Sequence, residues 1–173
     1  MNKTLIAFFS RADENYFGGA MKYVKVGNTE IVAGLMKEII DADMFKIEMK
    51  KPYSPVYMTC IEEAKKDKQK DARPELAGYP ESLDDYDTIV LGYPNYWGTM
   101  PMAVFTFLEK YDLSGKTILP FCTNEGSGMG SSERDIKKLA PVATQKRGLS
   151  ITGSRAAASK PQVEKWFKEN GLI

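Results

Sequence analysis

Thr88-Ile89-Val90-Leu91-Gly92-Tyr93-Pro94-Asn95-Tyr96-Trp97-Gly98-Thr99-Met100-Pro101 is the stretch that decides the fold. Thr88 to Tyr93 is a strand-length apolar run with no polar alternation, the pattern of a strand covered on both faces. Pro101 to Tyr111 reads as a helix with proline in its first turn. A buried strand that turns through one loop into a helix is half of a βαβ unit, and it needs parallel partners to be covered.

The alternation extends both ways. Upstream, residues 3 to 9 form an apolar strand, and from Thr29 the residues Ile31, Val32, Leu35, Met36, Ile39 and Ile40 make one helical stripe. Met44 to Met49 alternates Phe45, Ile47 and Met49 against Lys46, Glu48 and Lys50, as an edge strand does. Thr59 to Lys70 reads as a shallowly packed helix opened by a Thr59-x-x-Glu62 capping box. Downstream, Thr117 to Thr123 is a strand, Ser132 to Leu139 a short helix and Leu149 to Thr152 a last strand. Ser159 caps a final helix that carries Pro161 in its first turn, packs Val163, Trp166 and Phe167 inward and stops at Gly171. Pro120 removes a ladder donor from an inner strand, which predicts a bulge there. Five strands and five helices in strict alternation predict a three-layer α/β sandwich around one parallel sheet, as a single domain over residues 1–173.

Composition narrows the function classes. The chain has 43% hydrophobic and 27% charged residues and a formal charge of +1, which argues against nucleic-acid binding through a general basic surface. Its longest apolar runs are strand-length, so no membrane span is expected. The start Met1-Asn2-Lys3 running into Thr4 to Phe9 reads as a strand rather than a secretion signal, and a cytoplasmic protein is expected. The sequence holds no histidine, which removes imidazole metal sites and Ser-His or Cys-His catalysis. Cys60 and Cys122 are too few for a disulfide scaffold; Cys122 reads as a core residue and Cys60 as a helix residue. No catalytic residue and no metal site is assigned, so the chemistry is expected to come from something bound.

Ligands of an open parallel sheet bind beyond the carboxyl ends of its strands. Three segments fall there. Ser10-Arg11 follows the first strand, and Gly27-Asn28-Thr29 opens the first helix, where free N–H groups and the helix dipole suit a phosphate; a plain N-cap is the alternative. Pro94-Asn95-Tyr96-Trp97-Gly98 places two aromatics beside glycine, suited to a flat ring or else to plugging the core. Thr123-Asn124-Glu125-Gly126-Ser127-Gly128 is flexible enough to press main chain against a ligand, or is a mobile connector. The Gly27-Asn28-Thr29 segment carries neither the Gly-x-Gly-x-x-Gly of a dinucleotide fold nor the Gly-Lys-Ser/Thr of a P-loop, which disfavours dinucleotide and P-loop nucleotide binding.

On these residues the chain resembles the flavodoxin family, more closely its divergent flavodoxin-like branch. Ser10 and Gly27-Asn28-Thr29 match the two ends of the family's phosphate loop, Trp97-Gly98 its flavin-facing turn, and Phe121-Cys122-Thr123-Asn124 its third flavin loop. The resemblance implies strand order 2-1-3-4-5 and bound FMN. It assigns Ser10, Arg11, Asn28 and Thr29 to the phosphate, Pro94, Asn95, Tyr96, Trp97 and Gly98 to one side of the flavin, and Thr123, Asn124 and Gly126 to its other edge. It also implies that a backbone carbonyl near Trp97-Gly98 accepts a hydrogen bond from the reduced ring.

Two departures stand out. Sixteen residues, Arg11 to Val26, separate Ser10 from Gly27 where the family needs only a few, and the Gly18-Gly19 turn suggests that most of this insert runs outward. The loop after the fourth strand offers Met129 but no aromatic, which leaves one flavin face open to a second molecule. The expected function is therefore an FMN-binding electron-transfer protein. A redox partner protein or a small flat acceptor would take its electrons. The alternatives are an NAD(P)H-dependent FMN quinone-type reductase and a cofactor-free binding module on the same fold.

Overall fold

The computed structural model describes residues 3–173. Its central sheet takes strands β1 (Thr4–Phe8), β4 (Asp43–Lys46), β5 (Thr88–Pro94), β6 (Thr117–Asn124), β7 (Thr144–Gln145) and β8 (Leu149–Thr152), all parallel. The order is β4-β1-β5-β6-β7, with β8 continuing beside β6 along the line of β7. Counting β7 and β8 as one interrupted strand, this is the expected 2-1-3-4-5 order. The interruption has a local cause. Leu119 and Pro120 on β6 face Lys146, Arg147 and Gly148, one residue more on the outer strand, so the bulge expected at Pro120 falls in its neighbour.

Helices α1 (Asn28–Ile39) and α5 (Lys160–Glu169) cover one face of the sheet, and α3 (Met102–Lys110) and α4 (Ser132–Leu139) cover the other. Strand alternation feeds both layers: Ile6, Phe8, Val90, Leu119 and Phe121 point to Val32, Met36, Trp166 and Phe167, while Leu5, Ala7, Ile89, Leu91 and Cys122 point to Val104, Phe107 and Ile136. Fully buried side chains of this size contribute roughly 1.5–3 kcal/mol each, so both layers are strongly specified.

Helix α2 (Tyr57–Gln69) starts two residues before the expected capping box. Its first turn is capped from far away in sequence: Glu14 Oε1 accepts the Tyr57 N–H at 3.0 Å, and Glu63 turns back to accept the Ser54 N–H at 2.8 Å. Ser159 precedes α5 as expected, but its hydroxyl donates backward to the Ala156 carbonyl at 2.7 Å and closes the short 3-10 turn Gly153–Ala158.

The insert after β1 forms a two-stranded antiparallel hairpin, β2 (Asp13–Phe17) and β3 (Ala20–Val24), turned at Gly18-Gly19 with φ of +59° and +96°. This corrects the outward course expected for it. The hairpin folds back across the carboxyl edge of the sheet, because Arg11 ties its base to the segment before α2. The guanidinium donates to the carbonyls of Ser54 at 2.9 Å and Pro55 at 3.0 Å, to Asn15 Oδ1 at 3.0 Å, and to the Glu14 carbonyl.

Candidate functional site

The carboxyl ends of β1, β5, β6 and β8 open into one cleft of about 500 Å³. Its far wall is the first turn of α1. Gly27 lies so close to the returning chain that a Cβ there would stand 2.2 Å from Ser10 Oγ and 2.6 Å from the Arg11 carbonyl oxygen, so the two ends of the insert meet only because position 27 is glycine. Ser10 Oγ accepts the Glu30 N–H at 3.1 Å, which leaves its own proton free and fixes the helix start against β1. Asn28 lines the cleft with a buried Oδ1 that has no partner, and Thr29 Oγ1 lies 2.8 Å from Thr123 Oγ1, joining the α1 wall to β6.

The near wall is the turn after β5. Tyr96 and Thr99 pair through the Tyr96 N–H to the Thr99 carbonyl at 2.8 Å and the Thr99 N–H to the Tyr96 carbonyl at 3.3 Å, so Trp97 and Gly98 occupy the two central positions of a tight turn. Both have positive φ, +55° and +85°. For tryptophan that conformation costs about 1–2 kcal/mol, and it holds because the surroundings over-determine it. Asn95 Oδ1 accepts the Gly98 N–H at 2.8 Å while its Nδ2 donates to the Gly128 carbonyl at 2.9 Å, so one amide locks this turn to the loop after β6. Trp97 is 42% exposed at the cleft mouth; its Nε1 donates to the Ile61 carbonyl at 2.8 Å, and Lys65 Nζ lies 5.2 Å from its ring centroid.

The Gly98 oxygen has both acceptor positions filled and the Trp97 oxygen only one, which leaves Trp97 as the carbonyl of the pair able to accept a further hydrogen bond. The Trp97 oxygen takes a hydrogen bond from the Lys68 ammonium, and the Gly98 oxygen takes Ser131 N–H at 2.7 Å and Ser131 Oγ at 3.2 Å.

The third wall is α2, through Tyr57, Cys60, Ile61 and Ala64. Burial pushes the Cys60 and Tyr57 groups up from their ordinary values, with the nearby Arg11 charge acting in the opposite sense on both. Burial likewise raises the Tyr96 phenol, whose ring meets Phe9 edge-on at 5.8 Å. Arg11 forms no ion pair among the described residues; its guanidinium is held on the α2 side of the cleft by the Glu14, Ser54 and Pro55 carbonyls and Asn15 Oδ1.

Ten of the twelve residues assigned from the sequence line this cleft: Arg11, Asn28, Thr29, Pro94, Asn95, Tyr96, Trp97, Gly98, Thr123 and Asn124. Ser10 stands just behind the α1 turn, and Gly126 sits beyond the rim, its N–H bonded to Asn124 Oδ1 at 3.0 Å. Arg11 points toward α2 rather than offering its terminal nitrogens to the α1 turn. Met129, expected near a ligand, instead packs on the core below the loop. Unforeseen members are Asn15 and Tyr16 from the hairpin, the α2 residues, and Glu125, Ser127 and Gly153. Glu125 holds the Ser154 N–H at 2.9 Å and the Ser154 hydroxyl at 3.1 Å. A polar residue beside Asn124 was the available signal for Glu125; nothing in the α2 sequence marked its apolar side as a wall.

An open parallel sheet with its cleft at the point where β1 leads outward to β4 on one side and to β5 on the other defines a doubly wound ligand-binding protein. The chain belongs to the flavodoxin family, whose model matches residues 20–170. It is similar in structure to a protein from Bacteroides uniformis ATCC 8492 provisionally assigned as a flavoprotein, with 27% identity, a TM-score of 0.76, and coverage of 96% of this chain and 98% of that one. A second such protein, from Bacteroides eggerthii DSM 20697, has 24% identity and a TM-score of 0.77 over 100% of both chains. A flavoprotein from Lactobacillus acidophilus NCFM, solved in complex with FMN, has 19% identity and a TM-score of 0.65, covering 96% and 99% of the two chains. A search of curated proteins finds no match.

Proposed function

We propose that the cleft binds FMN and that the protein is a cytoplasmic electron-transfer flavoprotein. One observation carries this reading: a helix N-terminus with spare hydrogen-bonding capacity and a strained, tryptophan-bearing turn face each other across a single cleft. Membership of the flavodoxin family supports it, as does the FMN complex of the Lactobacillus flavoprotein that shares the fold.

The residues fit the group. The N–H groups of Asn28 and Thr29 in the first turn of α1 have no intrahelical acceptor, and the helix dipole favours an anion there by about 0.3–1 kcal/mol. The free Ser10 proton adds a donor beside that turn, and the Arg11 guanidinium brings a positive charge to the cleft from its α2 side. Thr123, Asn124 and Ser127 give the middle of the cleft a polar lining suited to a sugar-alcohol chain. Pro94, Tyr96 and Trp97 give the other end flat apolar surface for the ring, whose stacking contributes roughly 0.5–1.5 kcal/mol per aromatic beyond area burial. FMN when bound supplies one- and two-electron chemistry; the chain positions it and sets its electrostatics. Lys65 and Lys68 bring positive charge to the ring end, and that charge favours a reduced, negative flavin.

Anaerobic reduction of the FMN-loaded protein tests the assignment. An electron carrier exchanges electrons with an added redox protein and turns over NADH or NADPH negligibly without one. Sustained NAD(P)H oxidation with a quinone alone would replace this reading with a reductase, and a chain that binds no FMN would replace it with a binding module.

A further inference from the structure

We propose, resting on the FMN reading, that the β2–β3 hairpin is part of the cofactor site and its gate: Tyr16 contacts bound FMN, and the contact of the hairpin tip with Ser154 controls how fast FMN leaves. The hairpin is tied firmly at one end and lightly at the other. At its base Arg11 makes four hydrogen bonds, Glu14 accepts the Tyr57 N–H, and the Glu14 N–H donates to the Pro55 carbonyl at 3.3 Å. Asn15 reinforces that base through Nδ2 to the carbonyls of Arg11 at 3.0 Å and Ala12 at 3.2 Å. From there β2 crosses the cleft with Asn15 and Tyr16 in its lining, and the turn comes to rest beside Ser154, where a Cβ on Gly18 would stand 3.5 Å from Ser154 Cβ. Ser154 is held in place by Glu125, itself part of the cleft wall. The hairpin therefore spans the opening from the start of α2 to the turn after β8.

Nothing in residues 13–24 is buried, and Tyr23 is 68% exposed, so the hairpin adds nothing to either core layer. An isolated two-stranded hairpin is marginal in water, and segments with few buried contacts open far more cheaply than the whole domain unfolds. Lifting this hairpin exposes the cleft without disturbing the parallel sheet. A ligand that touches Tyr16 must by the same linkage hold the hairpin down. The loop after β6 brings no aromatic to the cleft, and the hairpin supplies one from elsewhere in the chain.

A Gly18→Cys, Ser154→Cys double variant tests the gate, since a 3.5 Å Cβ separation falls within disulfide range. Its reduced form carries the same left-handed cysteine at position 18 and is the matched control. FMN release on dilution, read as recovery of flavin fluorescence, is expected to slow at least tenfold in the oxidised form and to recover with dithiothreitol. Hydrogen exchange on the unmodified chain gives an independent reading: amides of residues 13–24 are expected to exchange at least tenfold more slowly with FMN than without. Tyr16→Ala is expected to weaken FMN binding at least tenfold while leaving the melting temperature of the FMN-free chain within 2 °C, about the effect of a neutral surface change. Equal release rates, unchanged exchange and unchanged affinity in a chain that binds FMN tightly would overturn the hairpin's role alone. A wild-type chain that binds no FMN would overturn both this inference and the assignment beneath it.

Discussion

Replacing Gly130 by alanine strikes the contact on which the two ring-end loops depend. A Cβ at position 130 would stand 2.1 Å from the Gly98 carbonyl oxygen, where carbon and oxygen ordinarily approach no closer than about 3.3 Å. The loops must part by roughly 1 Å to accept it, and both sides of the clash are backbone, so no side chain can rotate away. Overpacking of that kind costs about 1–3 kcal/mol, and the φ of +56° adds about 1–2 kcal/mol for an L-residue. Parting the loops also stretches the Ser131 N–H bond to Gly98, now 2.7 Å, and the Asn95 bond to the Gly128 carbonyl, now 2.9 Å. Gly128→Ala is the control: its φ is +70°, but its Cβ would meet nothing within 4 Å, so it carries the conformational cost without the clash. Urea denaturation should place the Gly130 variant below the Gly128 variant by about 1–3 kcal/mol. An FMN fluorescence titration should show affinity reduced at least tenfold for Gly130→Ala and within about twofold of wild type for Gly128→Ala, as a loss near 1.4 kcal/mol requires. Equal stability and equal affinity of the two variants would show that the loops are not held by this approach.

Breaking the Thr29–Thr123 hydroxyl pair leaves one buried oxygen unsatisfied, so Thr29→Val and Thr123→Val should each lose about 1–3 kcal/mol by denaturant unfolding; the double variant should lose less than the sum by about 1 kcal/mol. The chain should lose stability steadily above pH 9. Burial raises the Cys122 thiol to about 12 and the Tyr53, Tyr93 and Tyr96 phenols well above their usual range, so the unfolded chain releases these protons first. Each group's contribution is complete below its unfolded pKa and disappears as pH rises through the folded one. Cys122 alone accounts for about 1.4 kcal/mol per pH unit between 9 and 12, and denaturant midpoints that stay flat over that range would contradict the burial. Cys60, buried in the α2 wall with its thiol pushed up, should alkylate slowly at pH 8 and at least tenfold more slowly again with FMN present, as mass spectrometry of the labelled peptide can follow. FMN-independent labelling would place the ligand away from α2.

The layers were legible because doubly covered strands advertise themselves: Thr4 to Phe8 and Thr88 to Tyr93 have no wet side to disguise them, whereas the strand order came from the family resemblance. The rim residues were legible for a related reason. Tyr96 and Trp97 beside Gly98 are poor choices for a loop unless a flat group covers them, and Gly27-Asn28-Thr29 stood out through its match to the family's phosphate loop. Other parts depend on contacts between distant segments. Helix α2 begins at Tyr57 because Glu14 caps it from forty-three residues away, which no local capping pattern records. The hairpin arches inward because Arg11 finds the Ser54 and Pro55 carbonyls, an encounter set by where the edge strand ends. The Trp97 and Gly98 carbonyls are engaged because Lys68 and Ser131 converge on them from α2 and the α4 approach. Ile61 and Ala64 were hidden for the opposite reason: among the charges of residues 62–71 their apolar spacing is too sparse to announce a wall.

The most direct test of the account is an FMN titration of the purified, flavin-free chain, read by quenching of flavin fluorescence and repeated with riboflavin. Binding between the α1 turn and the Trp97 turn predicts one FMN per chain, riboflavin at least tenfold weaker for want of the phosphate, and loss of FMN affinity in both Asn28→Leu and Trp97→Ala. Undiminished FMN fluorescence, or variants that bind as well as wild type, would contradict it.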